Sequence, residues 1–211
     1  STPVYNAVNQ AKDPVSHSKK ILYITRNRGA VVRQCPGTCE YTCCDYTILH
    51  AGTFCTMDCS YCILQAYFHP PVLQYFYGFD QYTVELEQIF SQDRIYRVGT
   101  GEFTDSLIWE PVSLLPRFLI KRFARQTNSI LELKTKTINI DSLLSVAHNR
   151  KTILAWSVNT PFVIKTQERG TAGLKARIKA AARAQAHGYL LAFHFDPMVV
   201  YPGCETDYEN V

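Results

Sequence analysis

Short β-rich runs alternate with helix-forming segments from residue 47 to residue 198, and this alternation constrains the fold more than any other feature of the chain. Runs of β-branched and aromatic residues predict five strands, at 47–51, 95–98, 130–137, 152–158 and 189–198. Helical spacing of apolar residues or helix caps predict helices at 63–68, 83–90, 112–125, 141–148 and 174–187. Repeated strand and helix units predict an α/β fold with parallel strands and right-handed crossovers, in an open sheet or a barrel.

The ends of the chain depart from this repeat. No clear sixth strand follows residue 198, which leaves open a truncation after the fifth strand. Residues 1–18 have no periodicity and predict an irregular lead-in, whereas residues 20–34 place two β-rich runs around Asn27, Arg28 and Gly29, a pattern typical of a β-hairpin. We therefore predict an N-terminal extension, residues 1–45, with a β-hairpin and a cysteine-rich run, followed by a partial barrel, residues 46–211.

The bulk composition excludes few partners. With 211 residues and 46% hydrophobic content, the chain can bury one sizeable core. Its net charge of +4 is compatible with nucleic acid, but it lacks the dense basic patches that announce such a partner. No apolar run approaches the roughly 18 residues of a membrane span, and no secretory leader is recognisable at its start. We expect a cytoplasmic, reducing setting and no membrane partner.

Three cysteines, Cys55, Cys59 and Cys62, are spaced C-x3-C-x2-C within one short loop. Structural zinc sites and ferredoxin clusters both use four protein ligands, so three thiols predict an iron–sulfur cluster with one iron left open. The alternative is a zinc site that another cysteine completes. A disulfide framework is disfavoured because the cysteines are crowded into one stretch.

A second cysteine run precedes the first predicted strand and consists of Cys35, Cys39, Cys43 and Cys44. Its C-x3-C-x3-C-C spacing matches neither the common zinc pattern nor the ferredoxin pattern. Two interpretations stay open: a second metal or cluster site, or reduced and partly buried cysteines.

Polar side chains gather at the ends of four predicted strands. By period-2 alternation, the residues that share the polar face are Glu102, Thr104, Lys134, Lys136, Ser157, Asn159, His194 and Asp196. If the strands are parallel, these ends converge into one cavity beside the cysteine loop. His194 is then a cavity wall rather than a metal ligand, because the cysteines already account for the metal.

The cysteine loop resembles that of radical S-adenosylmethionine (SAM) enzymes, and this resemblance implies a (β/α)6-type barrel. It also implies a 4Fe-4S cluster on Cys55, Cys59 and Cys62, whose open iron binds the amino and carboxylate groups of SAM and whose reduced form generates a 5'-deoxyadenosyl radical. The strand polar ends suit SAM: a lysine for its carboxylate, an acceptor for its ammonium group, hydroxyl and amide groups for its ribose. The candidates for cofactor binding are Gly101, Glu102, Thr104, Lys136, Ser157, Asn159 and Asp196.

Further motifs resemble the spore photoproduct lyase family, radical SAM enzymes that reverse the thymine dimer 5-thyminyl-5,6-dihydrothymine in DNA. They are CSYCILQ at 59–65, GTGEFTDS at 99–106, SVN at 157–159, E-x-G-T-x-x-L-x-x-R-I-x-A-A at 168–181 and GYLLAFHFDP at 188–197. The resemblance implies that Lys136, Ser157 and Thr104 contact SAM and that Tyr61 is catalytic. As partners it implies DNA with a thymine lesion and an electron donor such as flavodoxin or ferredoxin.

Two positions depart from the family pattern. Family lyases carry a cysteine where this chain has Glu102, and that cysteine returns a hydrogen atom to the repaired thymine; they also carry a tyrosine where this chain has Ile63. Cys204 is a candidate substitute donor. These departures leave two alternatives to a DNA lyase: a radical SAM enzyme with a non-DNA substrate, or a non-catalytic zinc-bound module that binds nucleic acid.

Overall fold

The structure, a computed structural model, describes residues 3–35, 40 and 45–211. The strands of this part of the chain are β1 (Tyr23–Arg26), β2 (Val32–Gln34), β3 (Tyr46–Leu49), β4 (Gly52–Thr53), β5 (Asp58–Cys59), β6 (Gln74–Tyr77), β7 (Tyr96–Gly99), β8 (Ser129–Thr135), β9 (Thr152–Ser157), β10 (Glu168–Arg169) and β11 (Leu190–His194). The helices are α1 (Pro3–Asn9), α2 (Pro14–Ser18), α3 (Leu64–Tyr67), α4 (Phe79–Phe90), α5 (Leu115–Phe123), α6 (Pro161–Gln167), α7 (Leu174–Ala186) and α8 (Cys204–Glu209).

The main sheet has six strands in the order β11-β9-β8-β7-β3-β2. Its strands β3, β7, β8, β9 and β11 run parallel, and β2 adds an antiparallel strand at the edge. Each of the five predicted strands overlaps one of these parallel strands, so this part of the α/β prediction is confirmed. Parallel strands bring their carboxyl ends to one edge, which is where ligands bind in such folds.

One face of the main sheet packs against helices and forms the core. On β8, Leu131 and Leu133 are almost fully buried, and they join a cluster that includes Leu119 and Phe123 of α5. Burying a leucine side chain contributes about 1.5–3 kcal/mol, so this alternation fixes the register of the strand. The intervening side chains, Glu132 among them, then point to the opposite, polar face.

The predicted N-terminal β-hairpin is wrong. Strand β1 pairs in parallel with β6 in a separate three-stranded sheet, β1-β6-β4, whereas β2 pairs antiparallel with β3. The turn between them exists, since the Asn27 side chain donates to the Ala30 carbonyl at 3.1 Å. Beyond it, the Glu85 carboxylate of α4 accepts hydrogen bonds of 2.8 Å from the amides of Val31 and Val32, and this holds the chain against the main sheet instead.

Three local predictions also differ from the structure. Residues 3–9 and 14–18 are helical rather than irregular, and residues 141–148 form turns rather than a helix. Helix α4 begins at Phe79, before the predicted cap Thr83, whose hydroxyl instead donates to the Phe79 carbonyl at 2.8 Å. A threonine that bonds back to a carbonyl four residues earlier lies inside a helix and does not cap it.

The predicted division of the chain at residue 45 stays a prediction, although the pairing of β2 with β3 joins residues from both sides of it. Among the helices of the described residues, none combines the length and the apolar character needed to cross a membrane.

Candidate active site

The cysteine loop lies between β4 and α3 and is tied to the rest of the fold by a short antiparallel pair. Strand β5 pairs with β10, which places Cys59 opposite Glu168 and Asp58 opposite Arg169. The Asp58 carboxylate also accepts from Lys19 at 2.8 Å and from Arg169 at 2.9 Å. The loop is therefore held from both sides by charged contacts.

The three cysteines of the loop border one cavity of about 340 Å³, which we name the cysteine pocket. Its lining residues are Cys55, Met57, Cys59, Tyr61, Cys62, Ile63, Leu64, Gly101, Glu102, Thr104, Asp105, Lys134, Thr135, Lys136, Ser157, Asp196 and Pro197. The pocket combines the cysteine loop with the carboxyl ends of β7, β8, β9 and β11. The predicted convergence of polar strand ends beside the cysteines is thereby confirmed for these residues.

The donor set of the cysteine pocket fits an iron–sulfur cluster. Burial raises the pKa of Cys55 to about 12 and that of Cys59 to about 11, so both are neutral thiols until a metal takes their protons. Within the described residues, no three His, Cys, Asp or Glu side chains are placed to hold a single ion. Thiolates around a cluster bind different irons and lie farther apart than the ligands of one ion, so three thiols on one roomy cavity suit a cluster.

Two lysines of β8 and its following loop bring positive charge to the cysteine pocket. The Lys136 ammonium group lies 5.8 Å from the centre of the Tyr61 ring. Neither Lys134 nor Lys136 has an ion-pair partner among the residues that the structure describes. Both ammonium groups are therefore available to an anionic ligand group.

Asp105, which sequence reasoning missed, fixes the position of Lys136. Its carboxylate accepts from the Lys136 amide and the Thr135 hydroxyl, both at 2.8 Å, and from the Leu107 amide at 2.9 Å. Burial raises the pKa of Asp105 even though these hydrogen bonds oppose the rise. Its place directly after Thr104 at the end of a strand was the available signal.

Tyr61 is held by a buried charge network behind the cysteine pocket. Its hydroxyl donates to Glu168 Oε1, while Glu168 Oε2 accepts from Arg177 Nη2 at 2.6 Å. Arg177 also donates to the carbonyls of Ser157 and Ala172, at 2.8 and 2.7 Å. The network links the cysteine loop to β9 and α7. Burial, followed by the bond to Glu168, raises the pKa of Tyr61, which stays protonated.

The predicted cofactor residues differ in how much of their surface reaches the cysteine pocket. Glu102 and Asp196 are exposed at its rim, whereas Ser157 and Thr104 are buried in its wall. Gly101 is closely packed, because an added Cβ would lie 3.1 Å from the Lys134 Cβ. Gly99 lies outside the pocket, where it makes room for the Tyr46 hydroxyl, which an added Cβ would strike.

Thr104 also borders a second, much smaller cavity of about 20 Å³. The Thr100 and Thr104 hydroxyls and the Trp109 indole nitrogen have no hydrogen-bond partner there within the described part of the chain. A polar cavity of this size holds one water molecule.

Two predicted site residues are not brought to the cysteine pocket. Asn159 is fully buried, and its side chain bonds to the Pro197 carbonyl, the Tyr208 hydroxyl and the Thr160 amide. Cys204 is buried at the start of α8, beside a separate apolar cavity. Asn159 therefore braces the segment after β11 instead of facing the pocket, and Cys204 is not among the residues that line the cysteine pocket.

The polar face of the sheet below the cysteine pocket carries a second charged group. Glu132 is buried and contacts Arg97 at 2.6 Å and His194 Nε2 at 2.7 Å. Burial alone would raise the pKa of Glu132, but the bonds from His194 and Arg97 lower it overall. His194 thus has a carboxylate partner, but it is not among the residues that line the cysteine pocket, where the sequence predicted it as a wall residue.

Fold and site together define a mixed α/β protein with a three-thiol pocket at the carboxyl edge of a parallel sheet. The family model for spore photoproduct lyase matches residues 35–211. The chain belongs to the spore photoproduct lyase family.

Relatives and solved structures agree with this assignment. Over 178 residues the chain is 30% identical to the spore photoproduct lyase of Bacillus subtilis (strain 168), an alignment that covers 79% of this chain and 49% of that protein. The chain thus spans about half the length of this curated relative.

Among solved structures, spore photoproduct lyase complexed with dinucleoside spore photoproduct superposes with a TM-score of 0.85 at 22% identity, covering 96% of this chain and 61% of the other. The structure of a spore photoproduct lyase double mutant with bound AdoMet and dinucleoside spore photoproduct also superposes with a TM-score of 0.85 at 22% identity. It covers 96% of this chain and 61% of the other. At this identity the likeness establishes the fold.

Proposed function

We propose that this chain is the SAM-binding part of a radical SAM lyase that acts on a thymine lesion in DNA. The observation that carries the proposal is the cysteine pocket, where three thiols, two unpaired lysines and the polar ends of parallel strands surround one cavity. A partial (β/α)6-type barrel built on β3, β7, β8, β9 and β11 is the architecture that goes with it. Related lyases hold AdoMet and dinucleoside spore photoproduct, which supports the choice of ligands.

Cys55, Cys59 and Cys62 would hold a 4Fe-4S cluster. When bound and reduced, that cluster supplies the electron that cleaves SAM, which yields a radical able to take a hydrogen atom from the substrate. Lys136 binds the SAM carboxylate, because it lines the cavity and has no ion-pair partner among the described residues. Asp105 keeps Lys136 in place through its backbone, and Tyr61 forms the wall beside it.

The remaining polar residues of the pocket take supporting roles. Glu102 accepts from the SAM ammonium group, and Ser157 and Thr104 bond to its polar atoms, with Gly101 allowing close approach. Asp196 lies at the rim, toward the substrate side. Glu102 and Ile63 line the pocket at the positions where family lyases carry the hydrogen-returning cysteine and a tyrosine, so neither position offers a thiol or a phenol to the radical left on the repaired thymine.

The test is anaerobic. The chain is reconstituted with iron and sulfide, reduced with dithionite and given SAM, and 5'-deoxyadenosine is measured by chromatography. We expect 5'-deoxyadenosine from the native chain and none from Cys59→Ala. A colourless protein that binds no iron, or that binds zinc without acid-labile sulfide, would contradict the proposal and favour the zinc-bound nucleic-acid-binding module.

A second candidate is a radical SAM enzyme with a non-DNA substrate. The observation that favours it is Glu102, an exposed carboxylate at the substrate side of the pocket in place of the family's hydrogen-returning cysteine. Incubation of the reconstituted chain with dinucleoside spore photoproduct separates the two. Conversion of the lesion to unlinked thymidine supports the DNA lyase, whereas SAM cleavage without lesion consumption supports the second candidate.

A further inference from the structure

A further large cavity lies outside the cysteine pocket, on one face of the β1-β6-β4 sheet. It measures about 720 Å³, and we name it the aromatic groove. Its lining residues are Tyr5, Tyr23, Thr25, Arg26, Asn27, Arg28, His50, Thr53, Phe68, Gln74 and Phe76. Ligand sites in proteins have volumes of about 300–1,000 Å³, so the groove is large enough for a nucleotide.

The residues of the aromatic groove combine ring faces with positive charge. Tyr23 and Phe76 lie on the same face of neighbouring parallel strands, two residues apart in register, and Phe68 lies along the groove. Arg28 is exposed and has no ion-pair partner in the described part of the chain, and the only charged residues that line the groove are arginines. Aromatic faces with arginine beside them are the chemistry that binds single-stranded nucleic acid, where bases stack and phosphates meet cations.

A buried histidine in the wall of the aromatic groove also points to a ligand. His50 is 9% exposed as a residue, and its two ring nitrogens are buried with no hydrogen-bond partner among the described residues. Burial lowers its pKa to about 4, so at neutral pH the ring carries one donor and one acceptor. Buried polar atoms are normally paired, so an unpaired ring in a groove wall is suited to a group that enters the groove.

The aromatic groove adjoins the cysteine pocket through one side chain. Phe103 follows Glu102 of that pocket, and its ring lies 4.9 Å from the His50 ring and 6.3 Å from the Phe68 ring. The aromatic groove and the cysteine pocket are therefore neighbouring cavities, separated by the Phe103 ring.

We propose that the aromatic groove binds a nucleotide of the DNA strand that flanks the lesion, an inference that rests on the proposed function. A base stacks on Tyr23 and Phe68 above the buried Phe76, and Arg28 contacts a phosphate. The groove is thus a second subsite that raises affinity for a strand over an isolated dinucleoside.

The first test measures binding of the full chain to a short fluorescent single-stranded oligothymidylate by anisotropy. We expect Arg28→Ala and Tyr23→Leu each to weaken binding by about fivefold or more. Arg28→Ala should also make the slope of log K against log salt about 0.7 shallower, as for one lost phosphate contact. The matched controls are Lys179→Ala, on the outer helix α7, and Tyr77→Leu, an exposed ring on the opposite face of the same sheet. Near-ultraviolet circular dichroism checks that each variant is folded.

The second test compares the lesion in a dinucleoside with the lesion in a longer single strand. The groove variants should raise KM for the strand and leave the dinucleoside reaction and SAM cleavage unchanged. Two results overturn the inference even if the enzyme is active. One is equal oligothymidylate affinity in the native chain, Arg28→Ala and Tyr23→Leu. The other is an equal loss of affinity in the two control variants. Loss of binding in the groove variants of a protein that never cleaves SAM supports the groove and contradicts only the proposed function.

Discussion

Glu168 and Arg177 form an ion pair of 2.6 Å in which the side chains are only 1% and 0% exposed. Glu168 uses its other oxygen to accept from Tyr61, so the pair supports the residue next to Cys62. Removing one partner of a buried ion pair leaves an uncompensated charge, which costs about 3–5 kcal/mol. The pair therefore connects the stability of the fold to the placement of the cysteine loop.

Arg177→Met should lower the free energy of unfolding by about 3–5 kcal/mol, because the Glu168 carboxylate loses its counter-charge in a dry site. Urea unfolding followed by circular dichroism measures this. The matched control is Arg183→Ala, which removes an exposed ion pair with Asp141 and should cost less than about 1 kcal/mol. An equal loss of unfolding free energy in Arg177→Met and Arg183→Ala would show that burial does not decide how much an ion pair stabilises this fold.

Alanine at Cys55, Cys59 or Cys62 should abolish the iron–sulfur cluster, since a cluster held by three thiolates has no spare ligand. Iron, acid-labile sulfide and visible absorbance report this after anaerobic reconstitution. Cys204→Ala is the control, because Cys204 lies beside a different cavity and should leave the iron content unchanged. If all three pocket variants still bind iron, the iron site lies in another part of the chain.

Lys136→Met should weaken SAM binding by about ten- to a hundredfold, the loss of one charge-assisted hydrogen bond to a carboxylate. Equilibrium dialysis with the reconstituted protein measures the affinity, and the iron content should not change because Lys136 is not a metal ligand. Lys165→Met on α6 is the control for loss of charge. If Lys134→Met weakens SAM binding more than Lys136→Met does, Lys134 rather than Lys136 binds the SAM carboxylate.

Glu102→Cys should raise the yield of thymine per 5'-deoxyadenosine when the enzyme is given dinucleoside spore photoproduct. The physical reason is that a thiol at the pocket wall supplies the hydrogen atom that the thymine radical needs, which a carboxylate does not. Chromatography of both products gives the ratio. Glu102→Ala removes the carboxylate without adding a thiol, and a similar rise in that variant would argue against hydrogen return by the new cysteine.

His50 should make stability dependent on pH. Burial lowers its pKa to about 4 from the ordinary 6.5, so between these values the unfolded chain holds a proton that the folded chain lacks. The neutral His50 ring contributes fully to the free energy of unfolding above pH 6.5. This contribution is lost as the pH falls toward 4, by about 1.4 kcal/mol per pH unit. The difference in unfolding free energy between the native chain and His50→Leu isolates this slope. A difference that does not change from pH 7 to pH 4 would contradict it.

The five parallel strands and the three-cysteine loop could be predicted because both depend on local information. Strand β8 shows its period of two within seven residues, with Leu131 and Leu133 facing the helices. The polar residues Lys136 and Ser157 follow from the same alternation once the strands are taken as parallel. For these two residues, the alternation along the strand predicted the side that faces the cysteine pocket.

Pairing between distant segments could not be predicted in this way. The runs around Asn27 have the local pattern of a hairpin, but the partners of β1 and β2 are chosen by β6, by β3 and by the Glu85 carboxylate. Asn159 has the same strand-end position as other pocket residues, yet the segment after β11 folds over it and takes its hydrogen bonds.

The sequence by itself determined the class of fold, the three-cysteine loop and the polar and apolar faces of strand β8, since these follow from spacing along the chain. Only the tertiary structure decided which polar residues reach the cysteine pocket, that Cys204 faces another cavity, and that Glu168 and Arg177 meet behind Tyr61. The reason is physical: periodicity is a property of a few neighbouring residues, whereas burial and ion pairing depend on segments that the fold brings together from far apart.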